Sequence, residues 1–200
     1  MMSTVFPAAR RLSALALLFA AAAALQGCIE AAVIGGAATT AYVMVDRRQP
    51  DVMLGDERVE IIASSRVGDM LKDQGHVNVT CYNYTALITG EVPTAQMKTE
   101  VEKIVSQVPQ VKSVVNEIQV AGTSSLASRA NDSYITSKVK GNFLSANKFS
   151  INRVKVVTEA GAVYLLGLVT REEADAATDI ARGTGGAQKV VRVFEYVVAK

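Results

Sequence analysis

Tryptophan is absent from this 200-residue chain, histidine occurs once (His76) and cysteine twice (Cys28 and Cys81). Two cysteines cannot build a disulfide scaffold. Histidine and cysteine stand in no ligand spacing, so neither a metal site nor a cofactor is expected. His76 lies beside Gly75 at a helix–strand junction and reads as a solvated loop residue, not as the base of a Ser-His-Asp site. The pair Glu172–Glu173 falls at a helix N-terminus, where the helix dipole favours acids without any catalysis. The chain is therefore expected not to be an enzyme. An excess of one charge sign is also missing. The formal net charge is +2, and beyond residue 27 nineteen basic residues face nineteen acidic ones, which argues against nucleic acid as a partner. Half of the residues are apolar, too many for wholesale disorder and enough for one medium domain or two small ones.

The N-terminus has the pattern of a targeting segment. Arg10 and Arg11 precede an apolar run of 14 residues from Leu12 to Leu25, broken only by Ser13. A membrane span needs about 20 such residues, so the run reads as the core of a signal peptide over residues 1–27. It ends in Leu25-Gln26-Gly27-Cys28, which resembles the bacterial lipobox, with Gln26 as its one departure. That resemblance implies acylation of Cys28. With Ile29 rather than Asp behind it, it also implies sorting to the outer membrane, on the periplasmic face. Residues 28–55 then read as the lipidated N-terminus and a tether, with Asp46 to Gly55 leading into the first domain. Cys81 alternates with Val77 and Val79, and so is placed on one face of a strand as a buried, inert thiol.

The remainder repeats itself. Val77-Asn78-Val79 and Ala86-Leu87-Ile88-Thr89-Gly90-Glu91-Val92 recur 77 residues later as Val154-Lys155-Val156 and Val163-Tyr164-Leu165-Leu166-Gly167-Leu168-Val169. Two tandem domains follow, 56–121 and 131–200, joined by a linker at 122–130. In the first, Val59, Ile62, Ala63, Val67, Met70 and Leu71 mark a helix face. Strands follow around Val77–Cys81 and Leu87–Val92, with a turn at Tyr82-Asn83. Thr94 caps a second helix with Met97, Val101, Ile104, Val105 and Val108 on its apolar face, and Val111–Val120 reads as a third strand. The second domain repeats the order: a helix from Asn131 to about Ala146, strands near 153–158 and 162–169, a helix from Glu172, and a strand near 189–198. Thr170 and Glu173 form a capping box. The expected class is α+β, two α-β-β-α-β units with helices on one face of a three-stranded sheet.

These duplicated units resemble BON domains (bacterial osmotic-shock and nodulation domains), over roughly residues 56–198. With the lipobox, the chain resembles the dual BON-domain outer-membrane lipoproteins of Gram-negative bacteria. Gly90 and Gly167 match the central glycine of that family. Read from chemistry alone, a glycine late in a strand marks a close backbone approach or a bulge, so both are expected to be structural. Gly183-Thr184-Gly185-Gly186 joins a helix to a strand, unlike the helix–helix loop of RNA-binding KH domains, and reads as a flexible turn.

Charge separates the two units. Residues 56–120 hold six basic and nine acidic residues, and residues 133–200 hold ten and six, a balance of −3 against +4. A basic domain tethered beside a membrane points to anionic phospholipid. On the first helix of the second domain, Ile135, Val139 and Phe143 form the core face. Tyr134 falls opposite with Lys138 one turn on, a pairing suited to a membrane interface. The family resemblance implies the same helix as the lipid-facing surface. Lys140, Asn142, Leu144 and Lys148 are candidates to extend that surface. The expected function is a lipoprotein that binds anionic phospholipid and supports envelope integrity. The alternative is a protein-interaction adaptor for an envelope assembly or division complex, docking through the acidic first domain or the inter-domain surface.

Overall fold

The computed structural model describes residues 46–198. The signal segment, Cys28 and the tether up to residue 45 lie outside the described residues. The first domain comprises α1 (Pro50–Leu71), β1 (His76–Tyr82), β2 (Thr85–Val92), α2 (Ala95–Ser106), β3 (Ser113–Asn116) and β4 (Gln119–Val120). The second comprises α3 (Leu126–Ala146), a 3₁₀ turn (Ile151–Arg153), β5 (Lys155–Glu159), β6 (Ala162–Val169), α4 (Arg171–Arg182) and β7 (Lys189–Tyr196).

Local chemistry accounts for most boundaries. Pro50 opens α1 where a missing N–H costs nothing, so the helix begins inside the stretch read from the sequence as a linker. Thr94 Oγ1 accepts the Met97 amide at the start of α2, while Thr170 and Glu173 form a complete capping box on α4. Ser125 caps α3 by accepting the Ser128 amide, which starts that helix at Leu126 rather than Asn131. Each hairpin closes on two residues with positive φ, Asn83–Tyr84 and Ala160–Gly161, the backbone that matches the twist of paired strands. The first turn therefore falls one residue later than Tyr82-Asn83.

In each sheet the central strand pairs antiparallel with the strand before it and parallel with the strand after the second helix. The third strand of the first domain is broken. β3 and β4 both pair with β2, and between them Asn116 Oδ1 accepts the Ile118 amide while Ile118 turns into the core. β7 runs unbroken over the equivalent span.

Helices cover one face of each sheet. Val59, Ala63, Val67, Leu71, Ile88, Val101 and Val105 build the first core; Ile135, Val139, Phe143, Val163, Leu165 and Ala177 build the second. Ile62, placed on the core face by its spacing, is instead exposed. The other faces of the two sheets pack on each other. Tyr82 and Leu87 of the first meet Ala162, Tyr164 and Leu166 of the second in a third apolar cluster. Each domain alone would leave this face in water, where contiguous apolar surface promotes association. The inter-domain sheet surface is thus consumed within the chain, which corrects its reading as a docking face.

Candidate functional site

The site residues named from the sequence separate into two groups on α3. At about 100° per residue, Tyr134, Lys138 and Asn142 form one row, while Lys140 and Leu144 lie roughly 120–160° round the helix from Lys138 and Asn142. Tyr134 is 63% exposed and Leu144 69%. The Lys138 ammonium sits 5.4 Å from the centroid of the Tyr134 ring, within cation–π range. It also donates to Gly185 O at 2.6 Å. Asn142 Nδ2 donates to Thr184 Oγ1 at 2.9 Å. Lys148 lies beyond the helix end and, with Leu144, Phe143 and Phe149, lines an open depression of about 420 Å³. Gly183–Gly186 is therefore a pinned turn, not a flexible one. Thr184 is buried and donates to Ile180 O at 2.9 Å.

The structural glycines stand where backbones approach. A Cβ on Gly90 would collide with the His76 carbonyl, and one on Gly167 with the Arg153 carbonyl. Gly90 also has φ +117°, a region disfavoured for L side chains. His76 is not a solvated loop residue. It opens β1, is half-buried, and its Nδ1 lies 3.3 Å from Arg129 Nη1 of α3. Cys81 is fully buried with Sγ 3.2 Å from Asp56 Oδ1. Burial and the neighbouring Asp56 push this thiol well above its usual range, the opposite of an activated cysteine. Among the described residues, no group of three or more His, Cys, Asp and Glu side chains could hold a metal ion.

Sequence reasoning passed over two sets of residues. The first is a pair of buried aspartates. Asp56 accepts the Asn83 and Tyr84 amides at 2.8 and 2.7 Å, and Asp132 accepts those of Ala160 and Gly161 at 3.0 and 2.9 Å. Each pins the hairpin turn of its own domain to its leading helix. The duplication carried the signal: an acid three residues before the first core residue in both helices, Asp56 before Val59 and Asp132 before Ile135.

The second is Asp46-Arg47-Arg48, assigned to the tether from sequence. Arg48 is held between Asp46 and Asp56 at 2.7 and 2.8 Å, 3.9 Å over the Tyr82 ring. Arg47 donates to Leu168 O at 2.9 Å and pairs with Glu173, which also binds Arg153. Neighbouring arginines thus tie the entry of the chain to both domains. Across the seam, Lys155 pairs with Glu60 at 2.7 Å, and Glu159 accepts from Asn78 at 2.8 Å. Burial and nearby Asp46 push the Tyr82 phenol up to about 12.

Comparison with known proteins gives the family. The BON domain matches at residues 60–122 and again at 131–197. The chain is 38% identical to the outer membrane lipoprotein DolP of Haemophilus influenzae, over 93% of this chain and 97% of that protein. It is 30% identical to a 21 kDa hemolysin of Actinobacillus pleuropneumoniae, over 76% and 80% of the two chains. Among solved structures, CdsD, a structural protein of the type III secretion system of Chlamydia trachomatis, aligns with 68% of this chain and 93% of its own. That alignment has 13% identity and a TM-score of 0.30, too loose a match to carry an argument. With both matches falling on the two α-β-β-α-β units, the chain belongs to the BON domain family and carries two BON domains in tandem.

Proposed function

We propose that this protein is an outer-membrane lipoprotein, anchored through Cys28 and facing the periplasm, whose second BON domain binds anionic phospholipid and so supports envelope integrity, the division site included. The observation that carries the reading is Tyr134, a large aromatic left 63% exposed on α3 with the Lys138 ammonium against its ring. An amphipathic ring beside a cation suits the headgroup layer. The +4 balance of residues 133–200 adds attraction to an anionic surface. Leu126 and Leu144, exposed on the same helix, add apolar area. Similarity to the Haemophilus lipoprotein along nearly the whole chain supports the outer-membrane assignment.

Flotation of residues 46–200 with vesicles tests it. This span holds both cores, the seam and the Asp46–Arg48 contacts. Binding should be confined to vesicles containing phosphatidylglycerol, weaken as salt rises, and be lost in Tyr134→Ala and Lys138→Glu. Absence of flotation under all conditions would leave the acyl chains as the sole membrane contact. Cys28→Ala in cells should abolish acyl labelling; undiminished labelling would refute the anchor.

A second reading, a protein-interaction adaptor, draws on α1. Leu54 and Ile61, seven residues apart on its outer side, are both exposed, in a domain whose balance of −3 disfavours an anionic membrane. Photocrosslinking from Ile61 in whole cells tests it.

A further inference from the structure

The turn at Gly183–Gly186 lies against the row of α3 that carries Tyr134 and Lys138, and its composition fits that contact. Gly186 has φ +105°, and a Cβ there would stand 3.0 Å from Ile135 Cγ1. A Cβ on Gly185 would stand 3.4 Å from Lys138 Nζ. Only a turn of small residues comes this close to α3. Thr184 fixes its position. The side chain is 2% exposed, its hydroxyl donates to Ile180 O of α4, and its oxygen accepts from Asn142 of α3, each at 2.9 Å. One hydroxyl therefore bridges two helices through the turn.

Gly185 O, the next carbonyl, accepts a hydrogen bond from the Lys138 ammonium at 2.6 Å. A lysine on an exposed helix face normally samples many rotamers, and immobilising such a chain on binding carries an entropic cost. Here that ordering precedes any ligand. An ammonium has three N–H donors. One goes to Gly185 O, and the Tyr134 ring stands beside the group, which leaves donor capacity toward solvent for an anionic oxygen.

We infer that the Gly183–Gly186 turn is the positioning half of the lipid site: buried Thr184 holds the turn, and the turn's Gly185 carbonyl holds the Lys138 ammonium beside the Tyr134 ring, ready for the phosphate of a phospholipid headgroup. Asn142 is then a strut to Thr184 rather than a lipid contact, and Lys140, Leu144 and Lys148 lie outside the phosphate site. This inference rests on the lipid-binding reading given above and names how that site is held.

The test uses residues 46–200 with Thr184→Val, Thr184→Ser, Asn142→Ala, Lys138→Met and the Thr184→Val/Lys138→Met pair, on phosphatidylglycerol vesicles. Thr184→Val should weaken binding about three- to tenfold, the loss of one pre-ordered side chain. Asn142→Ala should act in the same direction without altering a buried group, which covers the case of a Thr184→Val protein that does not fold. Thr184→Ser, which keeps the hydroxyl, should stay within about twofold of wild type. In the Lys138→Met background Thr184→Val should add nothing, since residues acting through one another are not additive. The Lys138 ammonium signal in NMR, slowed in exchange by its carbonyl partner, should broaden in Thr184→Val and return in Thr184→Ser.

Wild-type affinity in both Thr184→Val and Asn142→Ala, or a full multiplicative loss in the double variant, overturns the inference while leaving lipid binding intact. A wild-type protein that never floats removes the lipid reading itself. Displacement of the vesicles by millimolar inorganic phosphate would reassign the ligand to free phosphate.

Discussion

In the first domain the buried aspartate of the leading helix serves a hairpin turn, an arginine and a thiol; in the second, its counterpart serves, among the described residues, the hairpin turn alone. The second helices differ in the opposite sense. Thr94 caps α2 by one bond, with Met97 where the second domain has Glu173 and a full capping box. At matched positions of the leading helices, Arg58 and Ile62 in α1 stand where α3 has Tyr134 and Lys138. The duplicated scaffold is thus one solution to folding, a helix acid bonded to a hairpin turn and a glycine under a crossing carbonyl. What diverges is where each copy spends its charged groups. The first domain uses them inward to receive the incoming chain, and the second leaves a tyrosine and a lysine on its surface.

The largest expected break in this comparison is Asp56→Ala. It strands Arg48 beside Asp46 and frees two turn amides, and should cost about 3–5 kcal/mol, as removal of one partner from a buried ion pair does. Asp132→Ala, which frees two amides only, should cost about 1–3 kcal/mol. Equal urea midpoint shifts for the two would deny the asymmetry. Gly90→Val and Gly167→Val come next. Crowding alone costs about 1–3 kcal/mol, and the positive φ of Gly90 adds to it, so Gly90→Val should melt lower than Gly167→Val. An unchanged melting temperature in either would remove that glycine from the scaffold.

Acid titration sharpens the contrast at the second helices. Burial pushes the Glu173 carboxyl up, but Arg47, the Thr170 amide and Arg153 outweigh it and hold the group at about 2 against an ordinary 4.5. A folded value below the unfolded one means that its stabilisation is complete above about pH 4.5 and is lost as pH falls toward 2. Glu173→Gln should therefore be less stable than wild type at neutral pH, with the gap closing across that window. A gap that persists at pH 2 would show that the carboxylate's charge is not what matters. The smallest effect on stability belongs to Tyr134→Ala, within about 0.5 kcal/mol for an exposed side chain, with flotation as the property that changes.

The duplication, the element order and most core positions were legible because apolar spacing and capping chemistry are local. Val59, Ala63, Val67 and Leu71, or Ile135, Val139 and Phe143, needed no knowledge of the partner domain. What escaped is what depends on contact between distant segments. Arg47 reads as linker because its partners, Leu168 and Glu173, lie 121 and 126 residues away, and Arg48 because the Tyr82 ring it covers belongs to a later strand. Tyr82 and Leu87 read as ordinary strand residues because nothing local says that two sheets share a face. The break between β3 and β4 was invisible too: the apolar residues from Val111 to Val120 suggest one strand, and the Asn116 side chain competes with the ladder for the Ile118 amide. The candidate lipid residues fall along and just beyond one helix, whereas the turn that meets Lys138 comes from a segment 47 residues later.

The double tie at Arg47 and Arg48 also has a mechanical meaning. A pull on the chain at residue 46 meets two side-chain ties before it reaches α1. Part of the load passes through Arg48 into Asp56 and the first hairpin, and part through Arg47 into Glu173 and the second domain. The two domains therefore share it through these ion pairs. A force on the N-terminal side of this protein is therefore felt by both domains.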